Sequence, residues 1–136
     1  MPTTASSTFR VASFEPTDYV SPVTTGTTVG HALMVKEFEG DLSGRSTTQF
    51  SFAFDNATGV GTYVAMEAFE GTLLGREGAF AFAHSATTDG GPDRLHELVV
   101  IAPGSGSGDL VGITGSGALR IDPDGTHWLV LDVDLP

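Results

Sequence analysis

Three ionisable side chains interrupt otherwise apolar stretches of this sequence. Glu67 lies within Val64-Ala65-Met66-Glu67-Ala68-Phe69, His84 ends Phe80-Ala81-Phe82-Ala83-His84, and Lys36 follows Leu33-Met34-Val35. A carboxylate in an apolar cavity has its pKa raised and can hold or move a proton near neutral pH. A neighbouring imidazole can orient that carboxylate or share its proton. Period-2 alternation puts His84 on the same face as Phe80 and Phe82, and Glu67 on the same face as Tyr63 and Phe69. If those faces turn inward, Glu67 and His84 meet inside one hairpin, with Lys36 beside them, as a candidate catalytic set. The competing reading is structural. Alternation makes every second residue polar by default, so Glu67 can face solvent and His84 can be a satisfied strand-end histidine. Lys36 can then belong to a weak surface pair with Glu67 or around Glu37.

Other chemistries find no footing. GSGSG at 104–108 does not satisfy G-x-G-x-x-G, no Lys-Ser/Thr follows it, and no serine sits in G-x-S-x-G. His31, His84, His96 and His127 fall on four different predicted strands without an H-x-H or H-x-x-x-H pair. A metal centre would have to be assembled entirely by the fold, so neither metal nor cofactor is expected. There is no cysteine, which removes disulfides and thiolate ligation. Seventeen acidic residues against six basic ones give a formal charge of −11, which repels a phosphate backbone and anionic lipid. Nucleic acid and membrane are therefore not expected partners, and the acidity is read as an aid to solubility. The opening residues MPTTASSTFRVASFE lack the basic and apolar regions of a secretory signal, and no apolar run reaches bilayer-spanning length. A cytoplasmic location is expected.

The elements that must position these residues are strands. At 136 residues the chain is read as a single domain over 1–136. Eighteen glycines, seven prolines and the absence of any sustained helical periodicity point to β structure. Strands are expected at 8–14, 29–39, 46–54, 60–70, 79–86, 95–102, 110–121 and 126–135, separated by turn-forming segments such as DNATG and DPDG. Within them Phe50, Phe52 and Phe54 share a face, as do Ala32, Met34, Lys36 and Phe38. About eight strands spaced by turns fit an antiparallel barrel or sandwich.

Gly-x-Leu-x-Gly occurs three times, starting at Gly40, Gly71 and Gly108. The unequal spacing rules out a solenoid. The glycines permit positive φ or close backbone approach at corners of a closed sheet, and the single leucine can cap the end of an apolar interior. Closure also removes exposed strand edges.

The blocks KEFEGDLSGRS (36–46), YVAMEAFEGTLLGREGAFAFAH (63–84) and VIAPGSGSGDLVGITGSG (100–117), in that order, resemble the bacterial domain of unknown function 3224 family. The likeness runs from about Thr8 to Pro136. The resemblance implies a closed eight-stranded antiparallel β-barrel, similar to allene oxide cyclase (lipocalin-like in outline), with a cavity along its axis. It brings no established activity, and relatives of the wider barrel class cyclise or fold polyunsaturated and polyketide substrates inside the cavity. The expectation is a cofactor-independent cyclase or isomerase acting on a small lipophilic substrate, with Glu67, His84 and Lys36 catalytic. Tyr63, Met34, Phe50, Phe52, Phe80, Phe82 and Trp128 would line the ligand site. The alternatives are a non-catalytic protein that binds a small hydrophobic molecule, and a structural barrel that forms homo-oligomers through outward residues such as Leu98, Val100 and Val130.

Overall fold

Alternating inward and outward residues organise residues 2–136, which a computed structural model describes. Among the described residues there are nine strands and no helix: β1 (Thr3–Pro16), β2 (Thr28–Gly40), β3 (Leu42–Asp55), β4 (Val60–Leu73), β5 (Arg76–Asp89), β6 (Arg94–Ile101), β7 (Ser107–Gly108), β8 (Thr114–Ile121) and β9 (His127–Asp134). Every pairing is antiparallel. The order β4-β3-β2-β1-β9-β8-β6-β5 closes through a β4–β5 ladder into a ring of eight, and β7 adds two residues to the edge of β5. The expected closed antiparallel sheet is therefore present, with an uneven seam. β6 and β8 share one bridge, Val100 with Ser116. The Glu97 side chain reinforces this seam by accepting a hydrogen bond from the Leu119 amide at 3.1 Å.

One end of the ring is packed solid. All three Gly-x-Leu-x-Gly corners lie there, and their leucines, Leu42, Leu73 and Leu110, are buried among Phe38, Phe69, Phe80, Phe82 and Ile101. The corners are also tied together through the backbone. Leu74 N donates to Asp41 O at 2.8 Å, Asp109 N to Glu77 O at 2.9 Å, and the Asp41 carboxylate accepts from Ser6 N at 2.9 Å. Gly44 and Gly71 face each other across β3 and β4. A Cβ on either would overlap a carbonyl oxygen of the opposite strand, so only glycine permits this approach.

Two expectations change. Residues 110–121 do not form one strand, because 110–113 fold into a tight turn closed by Leu110 N to Ser107 O (3.0 Å) and Ile113 N to Leu110 O (3.1 Å). Gly108 and Gly112 supply its positive φ values, +60° and +87°, and the turn drives Leu110 and Ile113 into the packed end. Trp128 lies on the outer face. It neighbours the inward Leu129, donates from Nε1 to Asp122 at 2.8 Å and stacks under Arg120 at 4.9 Å. It does not line the interior.

The β4–β5 hairpin closes with a two-residue loop, Leu74-Gly75, in which both residues have positive φ (+50° and +80°). Asn-Gly is the favoured pair for this geometry, whereas leucine in a left-handed conformation costs about 1 kcal/mol. Leu74→Asn is therefore expected to raise the melting temperature by a few degrees in thermal denaturation. An unchanged or lowered midpoint would contradict the strain assigned to Leu74.

Candidate functional site

At the end opposite the leucine corners the ring stays open. The inward positions there are aromatic: Phe14 on β1, Phe50, Phe52 and Phe54 on β3, and Tyr63 on β4. With Thr88, Arg94 and the turn residues Asn56 and Gly90 they enclose a cavity of about 600 Å³. Local sequence makes this wall. A bulge between Val11 and Ser13 shifts the alternation of β1, so that Phe14 turns toward Phe50, with ring centroids 6.0 Å apart. Phe50 continues to Tyr63 at 5.2 Å and to Phe52 at 5.5 Å. Gly30 lies opposite Phe52 and leaves the space its ring occupies, since a Cβ there would come within 2.6 Å of the ring.

Beneath the aromatic wall lies a polar layer. The Tyr63 hydroxyl is 3.1 Å from Nε2 of His84, and that nitrogen is 3.7 Å from the second oxygen of Glu97. Burial, followed by the positive charges of Lys36 and Arg94, depresses the His84 pKa to about 3. The imidazole is therefore neutral at physiological pH, and its approach to Glu97 is not an ion pair. A bare Nε2 accepts the Tyr63 proton; in the other tautomer Nε2–H donates to the phenol oxygen, the nearer of its two neighbours. Burial raises the Tyr63 pKa and the charge of Arg94 partly offsets it, so the phenol stays protonated.

One step deeper, Lys36 Nζ donates to Glu67 Oε2 at 2.8 Å and Ser46 donates to Glu67 Oε1 at 3.0 Å. Both charged side chains are almost fully enclosed, at 8% and 1% exposure, and Lys36 also lies 5.1 Å from the Phe9 ring centroid. Thr48, which pairs with Glu67 across β3 and β4, has a shielded hydroxyl without a partner.

The sequence-predicted residues sort clearly. Glu67, His84 and Lys36 all point inward and are all buried. Glu67 and His84 do not form the expected pair. The register places Glu67 opposite Phe82, and His84 opposite Ala65, so the two are offset along the hairpin. Glu67 turns to β2 and β3 for its partners, and His84 turns to Tyr63. Tyr63, Phe50 and Phe52 line the cavity, whereas Phe80 and Phe82 belong to the packed end and Met34 is enclosed beside the polar layer. Phe54, on the same face as Phe50 and Phe52, also lines the cavity; Arg94, Glu97 and Phe14 complete the site and were not singled out from sequence. His96, with φ +52°, breaks the alternation of β6, so Arg94 and Glu97 both reach inward although strict alternation would separate them. Among the described residues no three His, Asp or Glu side chains gather closely enough to hold a metal ion. No helix there is long and apolar enough to cross a membrane.

A sequence profile for the family described as "Protein of unknown function (DUF3224)" matches residues 5–133. A crystal structure of a protein with unknown function from that family, from Shewanella oneidensis MR-1, is similar over 100% of this chain and 99% of its own, with a TM-score of 0.85 and 28% identity. No curated protein matches the chain.

Two outcomes follow from the buried layer. Removing one partner of an enclosed ion pair strands the other charge and costs about 3–5 kcal/mol, whereas replacing both partners with apolar groups can be nearly neutral. In denaturant titrations Glu67→Leu and Lys36→Met should each be strongly destabilised, and the double variant should be more stable than either. Additive losses would mean that the pair is not coupled. For His84, the folded pKa lies below the unfolded value, so the unfolded chain binds more protons as the pH falls from about 6.5 to about 3. Its contribution to stability is complete above that window and is lost downward through it. His84→Asn should flatten the fall in stability over those pH values, and a slope equal to wild type would refute the assignment.

Proposed function

Since the chain belongs to the DUF3224 family, whose description assigns no activity, we propose that the protein binds a small lipophilic molecule in the open end of its ring. The observation that carries this reading is the aromatic cavity of about 600 Å³ beside an interior whose other half is filled. Interiors pack densely, and a concave apolar volume of this size with a few polar groups converging on it has the form of a ligand site. Five aromatic rings offer flat contact area to an unsaturated or ring-bearing guest. Tyr63 offers the guest a hydroxyl already oriented by His84.

A second reading, a cofactor-free cyclase or isomerase, is favoured by that same Tyr63–His84 contact. The aromatic wall would fold a flexible substrate so that its reacting ends meet, which alone can lower a barrier by several kcal/mol. In the His84 tautomer whose Nε2–H donates to the phenol oxygen, the Tyr63 proton is free and would be donated in a hydrogen bond to an oxygen that gains charge in the transition state. Glu67 and Lys36, committed to each other below, would act on this layer through charge and position rather than by touching the substrate. The allene oxide cyclase-like barrel that the sequence resemblance implies would support this reading as a fold-level analogy.

Isothermal titration with uncharged probes, octan-1-ol and 2-acetylnaphthalene, tests both readings. Saturable binding is expected for wild type and should vanish in a folded Thr88→Trp variant, whose indole occupies the cavity. If neither probe binds, the ligand-binding reading is wrong. Tyr63→Phe should weaken 2-acetylnaphthalene about fivefold relative to 2-ethylnaphthalene, the worth of one neutral hydrogen bond. An equal effect on both would remove the support for the second reading.

A further inference from the structure

The cations of this chain are few and almost all are matched. Arg10 pairs with Glu37, Lys36 with Glu67, Arg45 with Glu70 and Arg120 with Asp122, and Arg76 donates to the Pro136 main-chain oxygen. Of the six Lys and Arg residues, Arg94 alone among the described residues has no such partner. This holds in a chain with 17 carboxylates, where a surface arginine meets an acid easily. Arg94 is not a surface arginine. It lines the aromatic cavity, and its Nε is shielded from solvent with nothing to bond to.

A guanidinium partly withdrawn from water is costly unless its donors are used. The cavity wall contains no Asp or Glu that could use them. The nearest acid on the same strand, Glu97, spends one oxygen on the Leu119 amide and leaves the other, 3.7 Å from His84 Nε2, without a hydrogen-bond partner. No Arg94–Glu97 ion pair forms. The wall thus carries a positive charge with no direct ion-pair partner: the guanidinium reaches the Tyr63 phenol, its Nε stays unbonded, and the Glu97 carboxylate lies in the layer beneath. Such an arrangement is useful to a guest that supplies the missing anion.

We propose that the natural ligand of the cavity is an apolar molecule bearing a single carboxylate, with the carboxylate held on Arg94 beside the Tyr63 hydroxyl and the apolar body against Phe14, Phe50, Phe52 and Phe54. A carboxylate matches the planar fork of a guanidinium in two parallel hydrogen bonds. A monoanion also matches the charge of the wall, whereas a phosphate monoester would bring a second negative charge with no cation to meet it. This inference rests on the reading that the cavity binds small lipophilic molecules, and it adds the head group that selects among them.

The test compares acids with alcohols of the same skeleton, octanoate with octan-1-ol and 2-naphthoate with 2-naphthalenemethanol, by isothermal titration at pH 8. Wild type should bind each acid about tenfold or more tightly than its alcohol, the scale of a hydrogen bond to a charged group. Arg94→Gln should abolish that preference while leaving the alcohols within about threefold of wild type, and Arg94→Lys should retain part of it. If neither acids nor alcohols bind, the cavity reading fails and the head-group assignment fails with it. If both bind equally, the cavity reading stands and the carboxylate assignment is overturned. The assignment is also overturned if Arg94→Gln weakens acids and alcohols alike, because Arg94 would then be part of the wall or a partner of Glu97. The wild-type comparison decides the matter even if a variant fails to fold.

Discussion

A charge pair with almost no access to water divides the interior of this protein. Lys36 and Glu67 meet at 2.8 Å from β2 and β4, across the intervening β3, whose Ser46 occupies the remaining carboxylate oxygen. Each charge is tolerable there only because the other is present. Below them the inward residues are Phe and Leu packed without a gap, and above them the interior opens into the aromatic cavity. The pair also acts upward. Burial first, and then the charges of Lys36 and Arg94, keep His84 neutral, and its imidazole holds the Tyr63 phenol in place, 3.1 Å away.

The closed end makes this layered interior sustainable. A ring of eight strands must fill its own axis, and three leucines delivered by three similar corners fill one end of it. Glycines at each corner let the backbones approach closely enough for those leucines to converge. Once that end is fixed, the register is fixed too, because a one-residue slip in any ladder would turn a leucine or a lysine to the wrong face. The seam between β6 and β8 is the exception. With a single backbone bridge there, the closure relies on a side chain, Glu97, which also borders the polar layer. The residue that completes the ring and the residue that faces His84 are thus the same one, so the stability of the seam and the electrostatics of the site are joined.

What could be read from sequence was the face of each strand, and what could not was height along the axis or the effect of a backbone irregularity. Glu67, His84 and Lys36 stood out as polar residues in apolar alternating runs, and all three are inside. The corner leucines were recognisable because glycine on both sides of a leucine beside a strand has few other uses. Alternation assigned Phe50 and Phe80 equally to an inward face. It could not say that Phe80 would be buried at the filled end and Phe50 left on the wall of a void. That distinction depends on the stagger of the ladders. Arg94 and Glu97 were missed because His96, at φ +52°, adds a half-step that strict alternation forbids. Phe14 owes its place to the bulge in β1, and the outward turn of Trp128 follows from Leu129 taking the inward position beside it.

The electrostatics of the cavity run against those of the whole chain. The formal charge is −11, and the carboxylates of Glu37, Glu70 and Asp122 are spent on arginines outside the ring. Inside, the carboxylate of Glu67 is cancelled by Lys36, and the one imidazole is neutral. What faces the cavity is therefore the Tyr63 phenol, bonded to His84, and the Arg94 guanidinium on an apolar background, with the Glu97 carboxylate in the layer beneath. The one donor there that lacks an acceptor is Arg94 Nε, and a shielded donor of this kind is stabilised by an incoming acceptor. Three leucines fill the opposite end, whereas this end keeps an aromatic wall, a phenol and a guanidinium with an unbonded Nε; the proposed ligand reading rests on that contrast between the two ends of one ring.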